Sequence, residues 1–138
     1  MASRNDTKFL VKTVVTSDPT MPSLVIQVTQ MVNTYMLWVG VASSHDSEAG
    51  ENAVVDGRLC KDWACAMPPR DTTVPASATS LFRSGGSDVA LSISQRLAKR
   101  FRKQIFLSVD LPLLPGQGEQ LAFEAEKGIV ETLKAVET

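Results

Sequence analysis

The segment SQRLAKRFRKQIFLSVDL, residues 94–111, changes its hydrophobic period once, and that change decides the fold class. Its first half continues an apolar stripe with a spacing of four residues: Val89, Ile93, Leu97 and Phe101. Such a stripe predicts an amphipathic helix of about four turns. In its second half the apolar side chains alternate with others: Ile105, Leu107, Val109 and Leu111. A helix that leads directly into a strand is therefore expected here.

Strand patterns dominate the sequence before this segment. Alternating or β-branched runs predict five strands, at residues 8–16, 24–32, 35–42, 61–67 and 72–82. Asn33 and Thr34 predict a tight turn between the second and third of them. After the 104–111 strand, residues 119–136 carry a second helical stripe in which Gly128 is expected to allow a close approach to a neighbour.

The order β-β-β-β-β-α-β-α predicts an α+β fold, because strands come first and helices late. We expect an antiparallel, β-sandwich-like sheet of about six strands, with two amphipathic helices on one side. The 138 residues suffice for one domain spanning 1–138, with a flexible N-terminus at 1–7 and a mobile loop at about 43–58.

The location is expected to be cytoplasmic, nuclear or both. The N-terminal residues are polar and lack the apolar core of a signal peptide. No apolar run reaches the roughly 18 residues that a transmembrane helix requires, so no membrane partner is expected. Cys60 and Cys65 are the only cysteines, and two thiols without an export signal are typical of a reducing compartment.

Residues suited to catalysis or metal binding are few. His45 is the only histidine and lies in a polar segment, with no serine or cysteine spaced to act as its nucleophile. Cys60 and Cys65 form a single pair, whereas zinc sites usually need four ligands. Cys65 also shares a strand face with Trp63 that is expected to be buried, where thiols are unreactive. We therefore expect no enzyme activity, no metal and no cofactor.

The pair Gly85–Gly86 precedes the first helix, which invites comparison with a phosphate-binding loop. That loop needs a defined glycine spacing and a Lys-Ser/Thr pair at the start of the helix, and both are missing here. Ser87 and Asp88 are instead predicted to cap the helix by accepting hydrogen bonds from its first free N–H groups.

The cations of residues 94–111 raise the question of nucleic-acid binding. The net charge of the chain is −1, and no aromatic residues alternate with the cations to stack on bases, so no nucleic-acid partner is expected. Electrostatic docking of another protein fits better. The residues assigned to that role are Arg96, Lys99, Arg100 and Arg102.

Three segments in register resemble the proteasome assembly chaperone 4 family. They are YMLWVGVA at 35–42, VPASATSLF at 74–82 and SISQRLAKRFRKQIFLSVDL at 92–111. The first resembles the family's Leu-Trp-Val-Gly strand, the second its Pro-x-Ser-x-Thr-Ser-Leu strand, and the third its Gln-Arg-Leu-Ala helix with the following strand. The resemblance extends over roughly residues 24–137, whereas the first strand and the loop at 43–58 depart from the family pattern.

The resemblance implies a small non-catalytic chaperone that pairs with a paralogous subunit, proteasome assembly chaperone 3. Such a heterodimer promotes assembly of the 20S proteasome α-ring and leaves as the β subunits join. The implied fold is a β-sandwich-like antiparallel sheet system with two helices, and the implied partners are the paralogue and proteasome α subunits. The isolated chain is a candidate homodimer.

Two other function classes stay open from the residues alone. One is a small scaffold subunit of a different complex, such as a roadblock-like module, although those modules usually begin with a helix. The other is a nucleic-acid-binding module that uses the basic helix, which would show strong and salt-sensitive affinity.

Overall fold

A computed structural model of the chain describes residues 7–16, 19–42, 61–71, 73–84, 88–112, 116 and 118–138. Most of the N-terminal segment 1–7 and the whole loop at 43–58 lie outside these ranges, as do His45, Cys60, Gly85, Gly86 and Ser87. The described part forms six strands and two helices, which confirms the α+β class and the element order.

The elements have the following bounds: β1 Lys8–Val14, β2 Leu24–Met31, β3 Thr34–Val41, β4 Asp62–Met67, β5 Ser77–Arg83, α1 Val89–Phe101, β6 Gln104–Asp110 and α2 Gly118–Glu137. Most agree with the sequence predictions to within two residues. The largest difference is at β5, which begins at Ser77 rather than near residue 72. Pro75 has no N–H to donate to a ladder, so the strand begins only after it.

The strands form one sheet in the order β1-β2-β3-β6-β4-β5. Four neighbouring pairs are antiparallel, as predicted, but β3 and β6 run parallel, with Leu37 opposite Leu107. The sheet is therefore mixed rather than fully antiparallel. Because α1 carries the chain back after β5, β6 runs parallel to β5, and its place in the middle of the sheet puts it beside the parallel β3.

Both helices pack on the same face of the sheet. Fully buried aliphatic side chains from the central strands contribute to this core: Ile26, Leu37, Ile105 and Leu107. The helices contribute the stripes expected from the sequence, with Ile93 and Leu97 from α1 and Ile129 and Leu133 from α2. Burial of this apolar surface is the main stabilising term of the fold.

Asp88 does not form the side-chain cap of helix α1 that the sequence predicts for it, and Ser87 lies outside the described residues. Asp88 occupies the N-cap position, but its carboxylate accepts no hydrogen bond from the first turn and pairs instead with the guanidinium of Arg83. At the other end Arg102 adopts a left-handed conformation (φ 58°) and its N–H donates to Ala98 O. A left-handed residue at this place ends the helix, as at many helix C-termini.

Helix α2 approaches β2 closely at Gly128, as the sequence predicts. A Cβ at this position would lie 3.1 Å from Ile26 Cδ1, so the glycine allows the helix to pack close to β2. Neither helix in the described ranges combines the length and apolar composition that crossing a bilayer requires.

The hairpin between β2 and β3 is confirmed, with its turn one residue earlier than predicted. Met31 pairs with Thr34, so Val32 and Asn33 form the turn. Asn33 adopts a positive φ of 51°, which asparagine tolerates better than most residues. Its carbonyl accepts a hydrogen bond of 3.1 Å from the Gln104 N–H, which connects the turn to the start of β6.

Candidate protein-binding surfaces

The four cations assigned to protein binding lie along α1 and at its C-terminal end. Arg96, Lys99 and Arg100 are exposed residues of the helix, and Arg102 is exposed at its C-cap. Among the described residues, no carboxylate forms an ion pair with Lys99, Arg100 or Arg102. These three charges are therefore available to an approaching molecule, whereas the charge of Arg96 is paired with a carboxylate of the same chain.

Arg96 is held by Glu126 of α2. Its Nε and Nη2 atoms donate hydrogen bonds of 2.7 and 2.8 Å to the two carboxylate oxygens of Glu126. The hydrogen bond to Glu126 raises the pKa of the Arg96 guanidinium above its usual value. This two-point contact orients both side chains and connects the two helices above the sheet.

A second link between elements involves Lys103, Glu137 and Tyr35. Lys103 Nζ donates a hydrogen bond of 2.9 Å to Glu137 Oε1 at the end of α2, and this bond raises the pKa of the Lys103 ammonium. The ammonium also lies 5.2 Å from the centroid of the Tyr35 ring, a distance suited to a cation–π interaction. Lys103 follows Arg102 in the sequence, but these contacts give it a structural role.

We call the opposite face of the sheet the open face, because neither α1 nor α2 packs on it. It carries a set of apolar side chains. Register places Trp63 opposite Ser108, Cys65 opposite Phe106, and Phe82 opposite Trp63. Trp63, Cys65, Phe106 and Met36 are half-buried, and Phe82 is 53 % exposed. Contiguous apolar surface of this kind is typical of a protein–protein interface.

The position of Cys65 corrects the sequence prediction. Alternation with Trp63 predicts a buried face for Cys65, but the fully buried side chains of β4 are Ala64 and Ala66, which face α1. Cys65 is half-buried on the open face, and its sulfur accepts a hydrogen bond of 3.6 Å from Gln104 Nε2. The alternation of β4 was correct, and only the choice of the core side was wrong.

Trp38 and Gly40 occupy neighbouring positions on the open face of β3. Trp38 is buried, and its indole ring covers Gly40 so closely that a Cβ added there would overlap the ring atoms. The glycine of the Leu-Trp-Val-Gly segment is thus required by the tryptophan beside it. Trp38 forms a small apolar cluster with the buried Val25 of β2 and the partly buried Ala42.

The two edges of the sheet are β1 and β5. Every residue of β1 from Lys8 to Thr13 is exposed, including Phe9 at 70 %. Unpaired strand edges are prone to pairing with other chains, and lysine on such a strand opposes that pairing. Lys8 and Lys12 therefore suit an edge strand whose free edge does not pair with a strand of another chain.

No group of three or more metal-ligating side chains occurs in the part of the chain that the structure describes. His45 and Cys60 lie outside it, so the proposed absence of a catalytic or metal site at those residues stays a prediction.

Comparisons with known proteins agree with this architecture. A family model described as proteasome assembly chaperone 4 matches residues 23–111, well over half of the chain. The search of individually curated proteins found no match. A chain from a solved structure of a chaperone complex for yeast 20S proteasome assembly is 14% identical, with a TM-score of 0.65. The similarity covers 94% of this chain and 96% of that chain and shows a shared fold. The protein therefore belongs to the proteasome assembly chaperone 4 family.

Proposed function

We propose that this proteasome assembly chaperone promotes formation of the 20S proteasome α-ring, as a heterodimer with a paralogous subunit of the proteasome assembly chaperone 3 type. The match of the family model over residues 23–111 is the observation that carries the proposal. The similar yeast chain comes from a complex named for 20S proteasome assembly, which supports the same role. The protein acts without catalysis, by binding alone.

The open face is the surface on which the paralogous subunit packs in this proposal. Phe82, Met67 and Phe9 expose about half of their side-chain surface or more, and Trp63 and Phe106 lie half-buried between them. Two sheets commonly pack face to face through such side chains. A standard specific interface buries about 1,600 Å² in total, or about half of that area on each partner.

The proposed heterodimer is tested by native mass spectrometry of the chain purified from its own cells through an N-terminal tag. The expected species contains this chain of 14.9 kDa and one partner of similar size, with proteasome α subunits in larger complexes. Recovery of the chain alone or only as a homodimer, in mild salt, would contradict the proposal.

A matched pair of substitutions locates the interface. Phe82→Asp places a charge on the open face, whereas Phe123→Asp makes the same change on α2, where Phe123 is 65 % exposed. We expect Phe82→Asp to reduce recovery of the partner at least about tenfold and Phe123→Asp to leave it unchanged, because a buried unpaired charge is costly. Equal effects of the two variants would place the interface elsewhere.

The cellular location proposed for this role is the cytoplasm, the nucleus or both. Imaging of the tagged chain together with a tagged α subunit tests it, and accumulation of the chain in a secretory or membrane compartment would contradict it. A roadblock-like adaptor role has no comparable support from the family, and nucleic-acid binding is an outcome tested below.

A further inference from the structure

A groove of about 280 Å³ lies between α1 and α2. Six residues line it: Arg96, Leu97, Lys99, Arg100, Glu126 and Val130. Leu97 is 1% exposed and Val130 is half-buried, so the apolar part of the lining lies deep. The charged side chains stand around that apolar part.

The charges around the groove are unequal. Three lining residues are cationic and one is anionic, which leaves a surplus of two positive charges. Glu126 is already engaged by both hydrogen bonds from Arg96, so the surplus resides on Lys99 and Arg100. Within the described ranges neither of them has an ion-pair partner, and Arg102 adds a third exposed cation just beyond the helix.

We propose that this groove binds an acidic segment of a proteasome subunit. Carboxylates of that segment pair with Lys99 and Arg100, and one apolar side chain of the segment packs on the half-buried Val130. The preference of the groove for an acidic segment is inferred from the side chains that line it. Only the identity of the partner, a proteasome subunit, rests on the proposed function. Complementary charge accelerates such an encounter and sets its register.

A nucleic-acid strand suits the same groove less well. No aromatic side chain is among the six lining residues, so a base has no ring on which to stack. A peptide that offers both carboxylates and an apolar side chain matches the charges and the deep apolar lining together.

The proposal is tested with fluorescence anisotropy and the full chain. The probe is a fluorescein-labelled peptide of glutamates with a single central leucine, compared with the same peptide carrying glutamines and with single-stranded DNA. The charge-reversal variant combines Lys99→Glu with Arg100→Glu. Its matched control combines Lys8→Glu with Lys12→Glu on β1, the same change of net charge away from the groove.

We expect the wild-type chain to bind the glutamate–leucine peptide in preference to both comparison probes. The groove variant should lose at least about tenfold in affinity, whereas the β1 control should lose less than about twofold, since a remote surface charge acts only through screened attraction. Val130→Thr, which makes this position polar without adding charge, should weaken binding of this peptide more than binding of an all-glutamate peptide. Equal losses in the groove variant and the β1 control, or tighter binding of the DNA, would overturn the proposal.

A second readout separates this inference from the proposed function. Tagged Lys99→Glu/Arg100→Glu protein should still recover the paralogous chaperone subunit but lose proteasome subunits. Full recovery of the proteasome subunits would overturn the role of the groove and leave the chaperone function standing. If wild-type protein recovers no proteasome subunit, the proposed function fails. The anisotropy measurement alone then decides whether the groove binds an acidic peptide.

Discussion

The Tyr35 hydroxyl donates a hydrogen bond of 3.1 Å to Glu137 Oε1, across 102 positions of the sequence. Tyr35 lies near the start of β3 and Glu137 is the last residue of α2, so this contact attaches the end of the C-terminal helix to the middle of the sheet. Lys103, just before β6, donates to the same carboxylate oxygen. Three elements therefore meet at one side chain.

Removing the Tyr35 hydroxyl should destabilise the protein modestly. Tyr35→Phe keeps the fully buried ring but deletes the hydrogen bond, which is worth about 1 kcal/mol of unfolding free energy. Urea denaturation measures the change. Glu137→Gln is the companion variant, because its amide oxygen still accepts from Tyr35 while the charge opposite Lys103 is lost. An unchanged stability in Tyr35→Phe would show that the hydroxyl is equally well satisfied by water.

Stability should fall at alkaline pH through the same contact. Burial raises the pKa of the Tyr35 phenol, and the hydrogen bond to Glu137 raises it further. The hydrogen bond with Glu137 likewise raises the pKa of the Lys103 ammonium. For both groups the protonated form is the one favoured by folding. Their contribution is therefore complete below the unfolded-state pKa values of about 10 and is lost as pH rises through the higher folded values.

Denaturation midpoints measured from neutral pH to above pH 10 check this dependence. The wild-type protein should lose more stability over that range than Tyr35→Phe, which lacks the titrating phenol. Parallel pH profiles for the two proteins would exclude Tyr35 as the source of the alkaline loss.

The ion pair between Arg96 and Glu126 should contribute little to stability despite its two hydrogen bonds. The Arg96 side chain is 57% exposed, and pairs in water contribute at most about 1 kcal/mol. A double-mutant cycle with Arg96→Ala and Glu126→Ala measures the coupling, which should decrease as salt is added. A coupling of several kcal/mol, insensitive to salt, would mean that the pair is effectively shielded from solvent.

Gly40→Ala should destabilise the protein by about 1–3 kcal/mol, the usual cost of overpacking. The new methyl group would overlap the Trp38 ring, which is itself 5% exposed and has little room to move. Gly118→Ala is the matched control, since a Cβ there meets nothing within 4 Å. Gly40→Ala combined with Trp38→Leu should cost less than the sum of the two single substitutions, because the smaller side chain no longer overlaps the new methyl group. Equal effects of the two alanine variants would contradict the packing argument.

Local patterns were sufficient for most element boundaries. The spacing of Ile93, Leu97 and Phe101 identified the buried stripe of α1, and all three are buried in the structure. The position of Gly128 at a close approach was also correct. Both results depend on contacts repeated along one element, which a linear sequence records directly.

The sequence was less informative about how the strands and helices pack on one another. Alternation along β4 groups Trp63 with Cys65, but it does not say which side of the strand faces the helices. The core side belongs to Ala64 and Ala66, whose small side chains allow α1 to pack on the sheet. A hydrophobicity argument favours tryptophan for the interior, and here that preference is overridden by the close packing of the helix.

The four cations assigned to protein binding likewise show what sequence can predict and what it cannot. Sequence alone identified the exposed cations Arg96, Lys99, Arg100 and Arg102, since they fall between the apolar positions of a helix. It could not show that Arg96 is held by Glu126, thirty positions away, or that Lys99 and Arg100 stand beside an apolar groove.

The sequence by itself determined the α+β class, the element order, the buried helical stripes and, through three short segments, the family resemblance. These features follow from the period of apolar residues and from turn chemistry, which act within a few residues of one another. Only the tertiary structure decided that β6 lies between β3 and β4 and runs parallel to β3, and which sheet face remains open. Those outcomes depend on how helices and strands far apart in the chain share one core, and a local pattern does not contain that information.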